Sequence, residues 1–139
     1  MANQPRKVVA HWIKDRAFKC ETKDGNQFLT DGNRQVGASP MELLLAGVAG
    51  CTGIDVMDIL QKKRLDVKGL EVCVEGTRAD DYPMVYTDIN VVYVVKGKDI
   101  PAKAVEDAIH LSETKYCSAS IMMGKTAKMS SRYEIIEEE

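Results

Sequence analysis

The N-terminal third of the chain alternates apolar and polar residues, which is the pattern of half-buried β-strands. Residues 7–13 and 17–22 show this alternation, and residues 26–30 continue it after Asp24-Gly25. Asp-Gly between two such segments is a strong signal for a tight hairpin turn. We therefore predict a small antiparallel meander of three strands, which ends in the loop that begins at Asp31.

A long apolar segment follows, and Ser39-Pro40-Met41-Glu42 marks its start as a helix. Ser39 can cap the first turn, Pro40 suits the first helical position, and Glu42 can complete a capping box. The helix is predicted to run to about Lys63. Its first half is apolar on every side, which predicts burial, whereas its last turns carry polar residues and emerge toward water.

The rest of the chain is predicted to form two strands, two helices and a final strand. These elements cover residues 70–77, 86–95, 101–115, 118–125 and 128–136. Because the strands come in groups rather than alternating singly with helices, their order indicates an α+β fold with antiparallel sheets. No repeat or linker interrupts the pattern, so we predict a single domain over residues 1–139.

Composition narrows the classes of function. The 139 residues carry a net charge of −2 and form no basic stripe, so neither a nucleic acid nor an anionic membrane is a predicted partner. The N-terminus lacks the apolar segment of a secretory signal. The apolar run at residues 41–56 is interrupted by charges and glycines, and it is too short to span a bilayer. We expect a cytoplasmic protein.

The cysteines of the chain are Cys20, Cys51, Cys73 and Cys117. A reducing compartment does not support a structural disulfide framework. No two cysteines are close in sequence, which excludes the Cys-x-x-Cys motifs of zinc ribbons and thioredoxins. His11 and His110 are isolated as well, so a metal site would have to be assembled from scattered residues, and we expect none.

Cys51 lies among glycines within the long predicted helix. Gly47, Gly50 and Gly53 recur at intervals of three. Each glycine costs about 1 kcal/mol of helix stability relative to alanine. Such a cost is acceptable where another backbone or a substrate approaches closely, which indicates that the Cys51 sulfur can meet a partner helix or a small ligand. The alternative is that Cys51 is a small buried hydrophobic residue.

Cys117 falls between the second predicted helix and the short third one. A sulfur at a helix N-terminus, with Lys115 nearby, favours the thiolate form. The alternative is a cysteine in a capping region without special reactivity. Cys20 lies in a hairpin strand, and Cys73 alternates with Glu71 and Glu75 on a polar face, so we expect both to be non-catalytic.

The segment from Ser39 to Cys51, SPMELLLAGVAGC, resembles the central-helix signature of the OsmC/Ohr family. Tyr116-Cys117-Ser118 is similar to the region of the second cysteine of that family, which precedes a short helix. The predicted order of elements matches the family across nearly the whole chain. Within the family the likeness is to the YhfA-type branch.

This resemblance implies a thiol peroxidase. Cys51 would be the peroxidatic thiolate, which attacks the O–O bond of an organic hydroperoxide and becomes a sulfenic acid. Cys117 would resolve that species to a disulfide, and a small or protein-bound dithiol would reduce it. No metal or organic cofactor is implied. The family fold is an intertwined homodimer, which would bury the Cys51 helix. Apolar walls for the alkyl group would come from Leu43, Leu44, Met122 and Met123.

Some positions depart from the family pattern. In the peroxidase branches a Glu follows the helix-start Pro and pairs with an Arg that activates the thiolate, but here Met41 follows Pro40. Glu42 is one residue later, about 100° around the helix, so it does not simply inherit that role. Arg16 is the best candidate for the activating Arg. Ser118 stands where the family often has Pro.

Asp55 complicates the peroxidase interpretation. It lies one helical turn after Cys51 on the same face. A carboxylate there raises the thiol pKa unless a cation such as Arg16 compensates.

Two other functions therefore stay open. One is a non-catalytic OsmC-fold dimer that binds a small apolar or electrophilic ligand, which Met41 supports. The other is a thiol redox sensor that oxidises slowly and signals to a partner. A disulfide between Cys51 and Cys117 after peroxide treatment is expected of the enzyme and the sensor but not of the binding protein.

Overall fold

The computed structural model describes residues 4–139, and its elements follow the predicted order. They are β1 (Val8–Lys14), β2 (Ala17–Thr22), β3 (Gln27–Asp31), α1 (Pro40–Lys62), β4 (Asp66–Arg78), β5 (Tyr86–Lys98), α2 (Ala102–Leu111), α3 (Ser118–Met123) and β6 (Lys128–Glu137). A π-helical turn, Ser112–Tyr116, joins α2 to α3. The chain divides into two compact units, an N-terminal unit up to Leu44 and a C-terminal unit from Leu45 onward. The assignment of one domain to residues 1–139 stays a prediction.

The N-terminal unit contains the predicted meander. β1 pairs with β2 and β2 pairs with β3, both in antiparallel orientation. Gly25 has a φ of 90°, in the left-handed region that glycine enters without steric cost. The predicted Asp24-Gly25 turn is therefore confirmed.

The loop before α1 is organised by the carboxylate of Asp31. Its oxygens accept hydrogen bonds from the backbone N–H groups of Asn33 at 2.8 Å, Gln35 at 3.1 Å and Val36 at 3.2 Å. The bond from Asn33 is the largest cause that holds the pKa of Asp31 below its ordinary value. One ionised side chain thus fixes the course of the loop.

The predicted capping box at the start of α1 is confirmed. The backbone N–H of Ser39 donates to Oε1 of Glu42 at 2.9 Å, and the backbone N–H of Glu42 donates to Oγ of Ser39 at 3.1 Å. The N–H group of Ser39 lowers the pKa of the Glu42 carboxyl. Both polar side chains are therefore used to begin the helix.

The sheet of the C-terminal unit corrects the predicted strand directions. β4 and β5 are antiparallel, as expected, but β5 and β6 are parallel. Parallel neighbours need a crossover, and the segment of α2, the π turn and α3 supplies it between the two strands. The strand segments could be predicted from the sequence. The direction of β6 could not, because it depends on the path of this helical crossover.

Helix α1 is buried along one stripe rather than through its whole first half. Its fully buried residues are Val48, Thr52, Val56 and Leu60, which recur at every fourth position. Leu44, by contrast, is 47% exposed, and Ile54 is 64% exposed. The prediction of all-round burial in the first half of the helix is therefore wrong for the single chain. Alternate residues of β5, from Ile89 to Val95, complete the buried core of this unit.

The length of α1 agrees with the prediction, because the helix ends at Lys62. The helix has 23 residues, and by length and composition alone it is long and apolar enough to cross a membrane. The apolar run at residues 41–56 is only part of this helix, and its being too short to span a bilayer stays a prediction. The helix nevertheless places Thr52 and Asp55 in hydrogen bonds with other side chains of the protein.

Candidate functional site

Two sulfurs from distant parts of the sequence lie together in the C-terminal unit. The Sγ atoms of Cys51 and Cys117 and a carboxylate oxygen of Asp55 are all within 4.8 Å of one another. Cys51 is half-buried and Cys117 is fully buried. Both are free thiols. The structure therefore brings together the two cysteines that the sequence singles out, with Asp55 beside them.

The π turn holds Cys117 in place. Its backbone N–H donates to the carbonyl of Ser112 at 2.7 Å, which closes the wide turn. Its Sγ then accepts the backbone N–H of Ser120 at 3.3 Å, as the N-cap of α3. A π turn inserted at the end of a helix is common at functional sites. Here it places Ser112 and Cys117 at its two ends.

Burial decides the protonation of Cys117. Desolvation is the largest cause that raises the pKa of the Cys117 thiol, and the neighbouring Cys51 raises it further, against the lowering effect of Ser120. The expectation that the helix N-terminus and Lys115 favour its thiolate is therefore wrong for the reduced protein. The amino group of Lys115 lies over the ring of Tyr116, 5.2 Å from its centroid.

A line of hydrogen-bonded oxygens leads away from the sulfurs. Ser112 Oγ donates to Asp55 Oδ2 at 2.9 Å and lies 2.7 Å from Thr52 Oγ1. Thr52 Oγ1 lies 2.8 Å from the Tyr93 hydroxyl, which donates to Glu113 Oε2 at 2.8 Å. We call these five residues, in the order Asp55, Ser112, Thr52, Tyr93 and Glu113, the hydroxyl line.

The middle of the hydroxyl line is buried, whereas its far end, at Glu113, borders a solvent-accessible cleft. Thr52, Ser112 and Tyr93 are completely buried, and burial raises the pKa of the Tyr93 phenol far above its ordinary value. Glu113 is half-buried and lines a surface cleft of about 250 Å³ together with His110 and Ser131. The line therefore runs from the thiol pair to a cleft that water can enter.

The remaining predicted site residues lie in the N-terminal unit. Arg16 donates from Nη1 to Asn33 Oδ1 at 3.2 Å, and Glu42 belongs to the capping box. Their roles in thiolate activation stay predictions. Leu43 and Leu44 belong to this unit, whereas Met122 and Met123 belong to the C-terminal unit, so the apolar substrate wall stays a prediction as well.

The glycines around Cys51 do not serve a close approach within the chain. Apart from the adjoining residues and backbone of α1 itself, nothing in the described residues lies within 4 Å of a Cβ built on Gly47 or Gly50, and Gly53 has only an ordinary contact with Val72, at 3.5 Å. This side of α1 is therefore open in the single chain, and the approach of a partner helix or a small ligand stays a prediction.

Most of the hydroxyl line was not singled out from the sequence. Asp55 was noted for its spacing from Cys51, and Thr52 lies directly beside that cysteine. Helical spacing could have paired Thr52 with Asp55. Tyr93 and Glu113 carry no local signal, because their partners are distant in sequence.

The two sulfurs and the Asp55 oxygen are donors that a thiophilic metal accepts. They are one ligand short of the four that a structural zinc site uses, and no further histidine, cysteine or carboxylate joins this group in the described part of the chain. The expectation that the protein works without a metal stays a prediction.

The fold and the facing thiols together define an α+β dithiol protein. Residues 30–132 match the family model described as OsmC-like protein. Protein YhfA of Escherichia coli strain K12 is 40% identical over 126 residues, which cover 90% of this chain and 94% of that protein. The chain belongs to the OsmC-like family.

Solved structures extend the likeness to the whole fold. A hypothetical protein from Aquifex aeolicus is 32% identical, with a TM-score of 0.89 over 98% of this chain and 99% of that one. The organic hydroperoxide resistance protein OhrB of Bacillus subtilis is 20% identical, with a TM-score of 0.63 over 94% of this chain and 98% of that one. Helix α1 is therefore part of a fold that these proteins share.

Proposed function

We propose that the protein is a cysteine-based peroxidase that reduces organic hydroperoxides. The observation that carries this proposal is the pair of free thiols, Cys51 and Cys117, with sulfurs within 4.8 Å of each other. A disulfide requires the sulfurs to approach to about 2.05 Å, so the proposal predicts that these two sulfurs close that gap on oxidation. OhrB, a protein of the same fold, is named for organic hydroperoxide resistance.

The different exposures of the two cysteines support different roles for them in this proposal. Cys51 is half-buried and can meet a substrate, so it attacks the hydroperoxide. Its thiolate displaces the alcohol from the O–O bond and becomes a sulfenic acid, and the thiol proton goes to the leaving alkoxide. Cys117 is fully buried and acts second, when its sulfur attacks the sulfenic acid and releases water. An external dithiol, which a reducing cytoplasm supplies, restores the pair by exchange.

We propose further that the working form is a homodimer. Large apolar side chains are exposed in both units of the chain, among them Trp12 at 66% and Ile54 at 64%. Ile54 also lines an open, mostly apolar groove with Gly50, Gly53 and Val72. Exposed apolar surface of this kind is typical of a subunit interface. A second copy that packs there would explain the glycines of α1.

The peroxidase proposal is tested by Cys51→Ser. With an organic hydroperoxide and a dithiol reductant, we expect peroxide consumption to fall to the uncatalysed background. Cys73→Ser is the matched control, because Cys73 is exposed on β4 and is expected to leave the rate unchanged. Full activity in Cys51→Ser would overturn the proposal, whereas background consumption in the wild type itself would make the ligand-binding dimer the better interpretation.

A further inference from the structure

The hydroxyl line has one hydrogen bond more than its hydroxyl protons can supply. The five oxygens form four short contacts: Asp55 to Ser112, Ser112 to Thr52, Thr52 to Tyr93, and Tyr93 to Glu113. Each contact needs one proton, but the three hydroxyl groups carry only one each. With both end carboxylates ionised, Ser112 and Tyr93 donate outward, and Thr52 can donate to only one of its two neighbours.

One contact at Thr52 then has two oxygens facing each other without a proton. A buried polar contact left unmade costs free energy, about 1–3 kcal/mol. A single added proton removes this cost. If it enters at Asp55, every hydroxyl along the line can donate toward Glu113, and if it enters at Glu113, every hydroxyl can donate toward Asp55. The line therefore has two complete arrangements, each holding one extra proton.

We propose that the hydroxyl line is a proton store for the Cys51–Cys117 pair, with Asp55 as the group that receives the proton. This proposal rests on the proposed thiol chemistry and adds the path of its protons. The Asp55 carboxylate is the end of the line that lies within 4.8 Å of both sulfurs. General bases act at hydrogen-bond distance or through one water, and apo sites are often looser.

The store acts in the step that forms the disulfide. Cys117 keeps its proton in the reduced protein, because burial raises its pKa. When Cys51 is a sulfenic acid, the Cys117 S–H proton passes to Asp55, and the sulfur attacks the sulfur of Cys51. The S–S bond forms and the S–O bond breaks. The leaving hydroxide takes the stored proton and departs as water, so that atoms and charge balance.

At its far end, the hydroxyl line can exchange the stored proton with solvent. Glu113 accepts from Tyr93 on one oxygen and from the Ser131 hydroxyl at 3.1 Å on the other. The cleft that it lines also contains the titratable or charged groups Glu106, His110, Arg132 and Tyr133. At the inner end the thiols of Cys51 and Cys117 lie within 4.8 Å of the Asp55 carboxylate. The pH dependence of disulfide closure therefore reports on these groups together.

The test compares Thr52→Val with Thr52→Ser in the full-length protein. Valine removes the hydroxyl at the centre of the line, whereas serine keeps it. Reduced protein is mixed with cumene hydroperoxide or, separately, with diamide, an azo compound that takes up two hydrogens as it closes a dithiol. The rate of Cys51–Cys117 disulfide formation is followed by quenching and mass spectrometry. We expect closure to slow roughly tenfold in Thr52→Val and to stay near the wild-type rate in Thr52→Ser.

A second pair of variants keeps the test informative if Thr52→Val folds poorly. Tyr93→Phe removes a hydroxyl of the line, and Tyr133→Phe removes the hydroxyl of its register neighbour on β6, which bonds Glu106 instead. We expect slower closure and a changed solvent deuterium isotope effect in Tyr93→Phe only. A merely structural role would alter stability without altering the isotope effect.

The two oxidants separate the two proposals. If diamide closes the disulfide at the same rate in Thr52→Val, Thr52→Ser and the wild type, the proton store is overturned. If diamide distinguishes the variants while cumene hydroperoxide oxidises none of them, the store stands and the peroxidase function falls.

Discussion

Polar side chains work over different ranges in the two units of the molecule. In the N-terminal unit, Asp31 bonds backbone groups two to five residues away, and Ser39 and Glu42 bond each other across three. In the C-terminal unit, Thr52 bonds Tyr93 and Ser112 across 41 and 60 residues. Local bonds shape a loop and begin a helix, whereas the long-range bonds connect three elements behind a pair of thiols.

This difference in range indicates which polar side chains can take part in a reaction. A carboxylate that accepts several backbone N–H groups, such as Asp31, is held in its ionised form and takes up no proton at neutral pH. A buried line of hydroxyls has alternative donor directions, and it can change them when a proton arrives. The first arrangement is a fixed support, and the second can respond to a reaction.

The largest effect that sharpens this comparison is expected from Asp55→Asn. The amide still accepts a hydrogen bond from Ser112 but cannot take up a proton, so disulfide closure should slow roughly 100-fold. Sulfenic acid on Cys51 should accumulate and can be trapped with dimedone. Asp58→Asn, which removes an exposed carboxylate from the same helix, is the control. An unchanged closure rate in Asp55→Asn would show that Asp55 only supports the structure.

The next largest effect is expected on stability, in Thr52→Val. The substitution keeps the side-chain volume but leaves the hydroxyls of Tyr93 and Ser112 short of a partner, which should cost about 1–3 kcal/mol in the free energy of unfolding. Urea unfolding measures it, with Thr87→Val, an exposed threonine on β5, as control. Equal stabilities for the two variants would argue that the line adds nothing to the core.

A smaller effect is expected from the local bonds. Ser39→Ala removes one side of the capping box and should cost about 1 kcal/mol. Urea unfolding again provides the measurement, and Ser130→Ala on β6 removes an exposed serine hydroxyl as control. If Ser39→Ala unfolded like the wild type, the capping box would not stabilise the start of α1.

The smallest effect is a pH dependence of opposite sign in the two units. Asp31 and Glu42 have lowered pKa values, so their contribution to stability is present above their ordinary values of 3.8 and 4.5 and is lost as the pH falls further. Cys117 has a raised pKa, so its contribution is present below the ordinary value of 9.0 and is lost as the pH rises. Hydrogen exchange should show acid weakening near Asp31 and alkaline weakening near Cys117. The reverse pattern would contradict both assignments.

Local signals allowed much of the fold to be predicted. The Asp24-Gly25 turn and the Ser39–Glu42 box depend on neighbouring residues, and both are confirmed. The parallel direction of β6 and the π turn depend on how distant segments meet, and neither was predicted. The predicted burial of the first half of α1 was wrong for the single chain, because the sequence of an apolar helix does not show whether its own chain or a second one covers it.

The site was predictable only in part for the same reason. Cys51 and Cys117 carry local marks, a glycine-rich helix and a position before a short helix, and the structure brings them together. The hydrogen-bond partners of Thr52 carry no such local signal. Tyr93, for example, lies in an alternating strand and cannot be distinguished there from any other core residue. Arg16 was chosen by resemblance, and its role in activation stays a prediction.

The central claim is that Cys51 and Cys117 form a redox pair, and peptide mapping tests it most directly. Reduced wild-type protein is treated with one equivalent of an organic hydroperoxide, alkylated, digested without reduction and analysed by mass spectrometry. We expect the intact protein to lose two hydrogens and one peptide pair to link Cys51 with Cys117. Both cysteines recovered as alkylated thiols, or a disulfide that involves Cys20 or Cys73 instead, would contradict the account.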